Sequence, residues 1–313
     1  MTAKIVNLSE ETLQLAVDIL RKGGLVAMPT ETVYGLACDA SNAEAVAKLY
    51  AAKGRPQFNP LIAHISSPEM AKREALFSPV AGATASQFWP GPLTLVLQTT
   101  DTPTVCDLAR SGLDTIAVRH PAHPVAQALI EAFGGPLVAP SANRSGHISP
   151  TRAEHVQSDL GEEIDLILDG GPCERGLEST IVSFVSEPAL LLRAGSIETQ
   201  SLANFLEGKL HRRDESGAIN APGQMKSHYA PNATLRLNAD APAEGEAWLG
   251  FGPSEHAGLN LSPDGDLIEA ASKLFAMLRA LDQRFDRIAV SPIPNTGLGE
   301  AINDRLERAA HRD

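Results

Sequence analysis

Lys53-Gly54-Arg55-Pro56 sets two cations around a glycine, with Asn59-Pro60 and His64 close behind. A lysine and an arginine on a loop bent by Gly and Pro form a clamp for a polyphosphate, one as a point charge and the other as a planar fork. The same pair at a helix end also serves as plain compensation of the helix dipole. A second cluster, PTETVYGL at Pro29–Leu36, brings three hydroxyls and a carboxylate directly after an apolar run. A hydroxyl-rich turn that caps the next helix accounts for it equally well. A third, PSANRSGHISPT at Pro140–Thr151, carries Ser141, Asn143, Ser145, Ser149 and Thr151 just before a helix. Free N–H groups and hydroxyls there suit a phosphate or an adenine edge, or simply cap the helix. Arg119 and Arg193 close the apolar runs TIAVR and ALLLR, and either can pair with a carboxylate or phosphate, although a single strand-end arginine is ordinarily a surface charge. Polar clusters that gather at strand ends point to one anionic, phosphorylated ligand in a cleft of an α/β domain. The residues alone leave the reaction open.

The elements that must position these groups are short apolar runs alternating with helical periodicity. Leu25–Thr30, Leu61–Ile65, Leu93–Thr99, Thr115–Arg119, Leu137–Pro140, Leu166–Asp169, Thr180–Phe184 and Ala189–Arg193 have the length of strands. Ser9, Ser41 with Glu44, and Thr151 with Glu154 mark helix starts, the last two as capping boxes, and Gly23-Gly24 stops the first helix. The late strands lie too close together for every connection to be a helix, so the sheet is mixed. Periodicity lapses from about Gly208 to Asn232, a linker containing KSHYAP. Beyond it, Thr234–Leu237, Ala247–Phe251 and Ile288–Pro292 read as strands, with helices over Asp266–Arg284 and Glu300–Ala310. The organisation expected is 1–207, a linker over 208–232, and a smaller α/β unit over 233–313.

At 313 residues, 43% hydrophobic and 20% charged, the chain buries a core without help from disulfides and is neither disordered nor fibrous. Cys38, Cys106 and Cys173 are odd in number and form no C-x-x-C pair, so neither a disulfide framework nor a thiolate zinc site is indicated and a reducing cytoplasm fits. No apolar run approaches the ~18 residues of a membrane span. A net charge of −12 argues against broad electrostatic binding of nucleic acid. Phosphate-loop, H-E-x-x-H and G-x-S-x-G motifs are missing, and Gly297-Leu298-Gly299 lacks the third glycine of a dinucleotide fingerprint and reads as a helix-start turn.

Taken together, PTETVYGL, Lys53-x-Arg55 with NPL, FWPGPLT at Phe88–Thr94, Ser141-x-Asn143, LEST at Leu177–Thr180 and the LLRAG turn closely resemble the YrdC-like family, and KSHYAP and GLGEAINDRL resemble its two-domain members. The resemblance implies a YrdC-like twisted mixed sheet with helices, followed by a smaller three-layer, Rossmann-like α/β domain. It implies a threonylcarbamoyl-AMP synthase, a nucleotidyltransferase that joins L-threonine, bicarbonate and ATP with release of diphosphate. A downstream transferase then passes the threonylcarbamoyl group to the adenosine beside the anticodon of ANN-decoding tRNAs, so that this chain grips tRNA weakly or not at all. Carried over by position, Thr32, His64, Arg119, Ala139 and Ser179 hold threonine, and Arg55, Asn59, Thr115, Ser141, Ser149, Arg193 and Tyr229 hold ATP. Lys53 and Asn143 complete the signature, and Lys53 and Arg55 neutralise the leaving diphosphate as catalytic residues. Magnesium arrives with ATP, since no carboxylate cage is visible. Tyr229 sits in the linker, so KSHYAP is expected to fold over the site as a lid. Two other readings are a carbamoyl-adenylate former that uses carbamoyl phosphate, and a non-catalytic RNA-binding module.

Overall fold

The computed structural model describes residues 2–213 and 228–311. Its larger sheet is built from β1 (Lys4–Asn7), β2 (Val26–Met28), β3 (Gly35–Asp39), β4 (Ile62–His64), β5 (Leu93–Gln98), β6 (Thr115–Arg119), β7 (Leu137–Val138), β8 (Leu166–Asp169), β9 (Thr180–Ser183), β10 (Ala189–Arg193) and β11 (Leu210–Arg212). These run in the order β1-β8-β2-β3-β7-β4-β6-β5-β9-β10-β11. The sheet is mixed: β2 and β3, β5 and β6, and β9 and β10 pair antiparallel, while β4 and β6, and β5 and β9, pair parallel.

Side-chain alternation along each strand divides the core in two. Ala27, Leu36, Leu95, Ile116 and Val118 face one large cluster, which α2 (Ala43–Lys53), α4 (Pro79–Phe88), α7 (Ala153–Leu160) and α8 (Thr199–Phe205) cover. On the other face, Val26, Met28 and Leu166 meet α1 (Glu10–Arg21), α3 (Pro68–Glu74) and α6 (Pro124–Phe133). The far end of that same side carries only a shallow cluster of Ile62, Val96, Ala117, Ile181 and Leu192. A cleft floor is left there. The short α5 (Asp107–Arg110) lies between β5 and β6.

The smaller sheet, β12 (Thr234–Arg236), β13 (Ala247–Gly250), β14 (Leu259–Asn260) and β15 (Arg287–Val290), is wholly parallel in the order β12-β15-β13-β14. Leu235, Leu249, Ile288 and Val290 pack against both α9 (Leu267–Asp282) and α10 (Gly299–Ala310). Ala239, Trp248 and Ala289 form a separate small cluster. Both helices therefore share one face, and the layer on the opposite face is made by loop residues such as Ala239.

Several local expectations change. Asn42, not Ser41, caps α2 by accepting from Glu44 N and Ala45 N, because the Ser41 hydroxyl bonds Asp39 instead. Arg152, with no side-chain cap, precedes α7, and Thr151 N donates to His155 Nδ1 rather than joining a box with Glu154. The turn in PTETVYGL caps no helix but leads straight into β3, which folds back on β2. Within the expected linker, Leu210–Arg212 forms β11 beside β10, whereas Lys226 and Ser227 of KSHYAP lie outside the described residues.

Candidate functional site

Register places the polar ends of four strands side by side over the cleft floor. His64 is two residues beyond Ile62, Arg119 two beyond Ala117, Ser179 two before Ile181 and Thr94 two before Val96, so all four project to the face of that shallow cluster. His64 lies opposite Arg119 in the β4–β6 ladder, and Thr94 opposite Arg119 in the β5–β6 ladder. A cavity of about 50 Å³ opens there, walled by Thr32, Arg55, His64, Arg119, Ala139, Ser141, Ser179, Arg193 and Tyr229, with Val33, Ile62, Pro140, Glu178 and His228. Nine residues selected from the sequence thus meet around one space.

Of the five other selected positions, four stand behind the wall. Lys53 Nζ donates to Ser141 O at 2.5 Å and to Asn143 O, so its ammonium binds the 141–143 backbone to the end of α2. Asn143 Nδ2 donates to Arg144 O and His147 O and stiffens the same loop from within. Asn59 O accepts from Tyr50 Oη at 3.1 Å and Arg55 Nε at 3.3 Å. Ser149 Oγ donates to Glu178 Oε1 at 2.6 Å. A further one, Thr115, shares the face of Arg119 but begins β6, about 13 Å away along the strand at ~3.3 Å per residue.

The site is cationic and buried. Arg119 Nη2 lies 2.7 Å from Glu31 Oε1, both side chains being under a tenth exposed, and Glu31 Oε2 accepts from Ala122 N. Burial pushes the Glu31 carboxyl up, but Arg119 outweighs it and the net shift is downward. His64, bonded through Nδ1 to Ile62 O, is pushed down to about 3 by burial and by the Arg119 charge, and is neutral. Burial, with Arg193 adding to it, brings Arg55 down to about 10. Burial and the neighbouring Arg55 hold Lys53 well below the usual lysine range. Arg193 reaches Ser179 O at 2.9 Å and Ser179 Oγ at 3.2 Å, and Ser179 Oγ also shares a 2.7 Å bond with Thr94. In such surroundings fixed guanidinium charges act far more strongly on an anion than they would in water.

Sequence reading missed the groups that hold these arginines. Glu31 was visible within PTET and Glu178 within LEST, yet neither was selected. Arg305, wholly buried on α10, donates Nε to Glu178 Oε2 at 2.9 Å and Nη2 to Ala194 O at 2.9 Å. Its guanidinium also sits 5.3 Å from the centre of the Tyr229 ring, which stacks on Phe275 of α9. The signal for Arg305 was its place on the apolar stripe of Ala301, Ile302, Leu306 and Ala309, where a charge requires a partner. Tyr229 adopts a left-handed backbone, φ +62°, and with His228 closes the cavity. Arg279 of α9 reaches the 140–151 loop as well, donating to Ile148 O, and pairs with Asp159 of α7 at 2.5 Å.

A family model for Sua5, YciO and YrdC proteins, described as telomere recombination, matches residues 18–195, and one described as the threonylcarbamoyl-AMP synthase C-terminal domain matches residues 196–311. The threonylcarbamoyl-AMP synthase of Bacillus subtilis is 38% identical over 321 residues, spanning 94% of this chain and 92% of its own. That of Pyrococcus abyssi is 38% identical over 325 residues, spanning 97% and 95%. The crystal structure of P. abyssi Sua5 complexed with L-threonine superposes with a TM-score of 0.89 at 35% identity, over 99% of this chain and 97% of that one.

Proposed function

Since the chain belongs to the Sua5, YciO and YrdC family, in its two-domain form, we infer that its cleft makes L-threonylcarbamoyl-AMP and diphosphate from L-threonine, bicarbonate and ATP. It is a threonylcarbamoyl-AMP synthase, a nucleotidyltransferase that serves tRNA modification. The observation that carries the residue assignment is the convergence of Thr32, His64, Arg119, Ala139 and Ser179 with Arg55, Ser141, Arg193 and Tyr229 on one cavity.

In this reading Arg119 pairs with the threonine carboxylate, while Thr32, His64, Ala139 and Ser179 shape the rest of that pocket. His64, being neutral, adds no competing charge beside Arg119. The threonine amine, having lost a proton, captures carbon dioxide derived from bicarbonate. The carbamate oxygen then attacks the α-phosphorus in line and diphosphate departs. Arg55 and Arg193 face the developing charge on phosphate, and Ser141 holds the nucleotide. Lys53 contributes by fixing the Ser141–Asn143 backbone, with Asn143 and Ser149 as further supports. Asn59 acts through Arg55, whose Nε its carbonyl accepts, and Thr115 marks the outer edge of the nucleotide site. The buried carboxylates at the site, Glu31 and Glu178, are each committed to an arginine. Magnesium therefore enters on the phosphates of ATP rather than on a protein cage.

A cavity of about 50 Å³ is far below the ~300 Å³ of an ordinary nucleotide pocket. In this reading His228 and Tyr229 move to admit the nucleotide, and the described part of KSHYAP acts as a lid that shields a labile carbamate from water. The larger unit, which β11 joins from within the expected linker, then carries the chemistry, His228 and Tyr229 serve as the lid, and the smaller unit supports them. Among the described residues no helix is long and apolar enough to cross a membrane, and the three cysteines stand free. The reading places the chain in the cytoplasm, handing its product to a separate tRNA transferase with little or no grip on tRNA.

The test is diphosphate release from MgATP by the purified chain. Release that requires both L-threonine and bicarbonate is expected. Release driven instead by carbamoyl phosphate, or salt-dependent tRNA binding with no release, would overturn the reading.

A further inference from the structure

Arg305 is the largest fully buried side chain among the described residues. A guanidinium in that position needs a reason, because a buried ion pair contributes little stability beyond what well-packed apolar residues of the same volume would give. Its contacts supply one. Nε meets Glu178, Nη2 meets the carbonyl directly after Arg193, Nη1 meets Asp304 at 2.6 Å, a carboxylate that Arg308 also holds, and the plane faces Tyr229. Glu178 and Tyr229 line the cavity, and so does Arg193. The smaller unit thus reaches the nucleotide side of the site at three points through one side chain.

Glu178 is what makes this consequential. It is a carboxylate in the wall of a cavity that, in the synthase reading on which this inference rests, must admit a triphosphate. Unpaired, it would repel that ligand and oppose Arg55 and Arg193. Arg305 cancels its charge and holds Oε2, which leaves Oε1 turned to the Ser149 hydroxyl. We propose that Arg305 is a positioning residue for ATP, supplied by the C-terminal unit, which neutralises and orients Glu178 and so keeps the nucleotide half of the site net positive. The depressed Glu178 carboxyl agrees with this: burial alone would raise it, but Arg305 and then Arg193 bring it down. Ser149 acts in the same chain, as the second anchor of the Glu178 carboxylate.

The experiment measures ATP and threonine KM for the full chain and for R305M, R305K, E178Q and the double variant E178Q–R305M, with thermal unfolding of each. R305M is expected to raise ATP KM at least fivefold while threonine KM stays within twofold. R305K, which keeps the charge but not the fork, falls between. E178Q–R305M returns ATP KM to within about threefold of E178Q, since removing both charges removes the repulsion. An ATP KM within twofold of wild type in R305M, or equal rises in both KM values that E178Q does not relieve, overturns the proposal. Should R305M lose its unfolding transition, R305K with and without E178Q is read by the same criteria. Wild-type chain that releases no diphosphate with threonine and bicarbonate removes the synthase reading and this inference together, whereas an active wild type with indifferent R305M kinetics removes the inference alone.

Discussion

Replacing Arg119 by lysine separates the two tasks assigned to its guanidinium. One Nη is held 2.7 Å from Glu31, and Nε lies 3.4 Å from Gly91 O, which leaves the rest of the fork for the threonine carboxylate. A lysine offers one compact ammonium, and the buried Glu31 carboxylate captures it. Folding is then largely preserved, because the buried carboxylate keeps a counter-ion. The substrate, in contrast, loses a charge-assisted hydrogen bond worth about 1.5–3 kcal/mol. At ~1.4 kcal/mol per factor of ten, threonine KM rises about 10- to 150-fold. ATP KM is expected to stay within twofold. The assay is initial-rate diphosphate release over a threonine series at saturating MgATP and bicarbonate, then over an ATP series at saturating threonine. Arg119→Ala makes the complementary case: it leaves Glu31 buried and unpaired and is expected to lower stability by about 3–5 kcal/mol, a loss visible in denaturant unfolding. A threonine KM unchanged in the lysine variant, or ATP and threonine KM rising together, would refute the assignment.

Two more outcomes follow from geometry elsewhere. His64 and His228 both titrate near 3 in the folded chain because burial disfavours the imidazolium, against 6.5 when unfolded, so the unfolded state binds the extra protons. The stability they protect is complete above pH 6.5 and is lost as pH falls, by about 2 kcal/mol for each at pH 5. His64→Gln should flatten the unfolding free energy between pH 6.5 and 5 by one such share, and an unaltered slope in denaturant titrations would count against it. Gly176→Ala puts a Cβ 2.4 Å from Ala271 O and 2.6 Å from Ser272 Cα at a φ of +68°, so both close approach and backbone strain act at once. A loss of more than about 2 kcal/mol is expected, and a thermal midpoint equal to that of wild type would contradict the contact.

Strand positions were legible where apolar runs were continuous, as at Leu166–Asp169 and Thr115–Arg119. β3 escaped notice because it follows directly on the polar turn of PTETVYGL, and its pairing with β2 and β7 is a tertiary fact that local composition does not carry. Caps were misplaced where two polar neighbours compete for one role: Asn42 displaces Ser41, and His155 takes the bond that Thr151 was expected to make otherwise. In the site, residue types and family position identified the wall. They did not tell a side chain that faces the cavity from one that grips a neighbouring backbone, which is the difference between Arg55 and Lys53. Glu31, Glu178 and Arg305 went unselected for the same reason, since a buried carboxylate reveals its purpose only when its arginine is seen.

Gly176 through Ser179 touches both helices of the smaller unit and also enters the site. Gly176 rests on the backbone of α9, Glu178 is held by α10, and Ser179 carries Arg193. With no side chain at one end and two ion-paired or hydrogen-bonded anchors at the other, these four residues link the smaller unit to the site over a short span. A rigid-body shift of the smaller unit is therefore expected to reach the Ser179 hydroxyl and the Arg193 guanidinium together, whereas a change confined to one wall side chain, such as Arg119→Lys, is not.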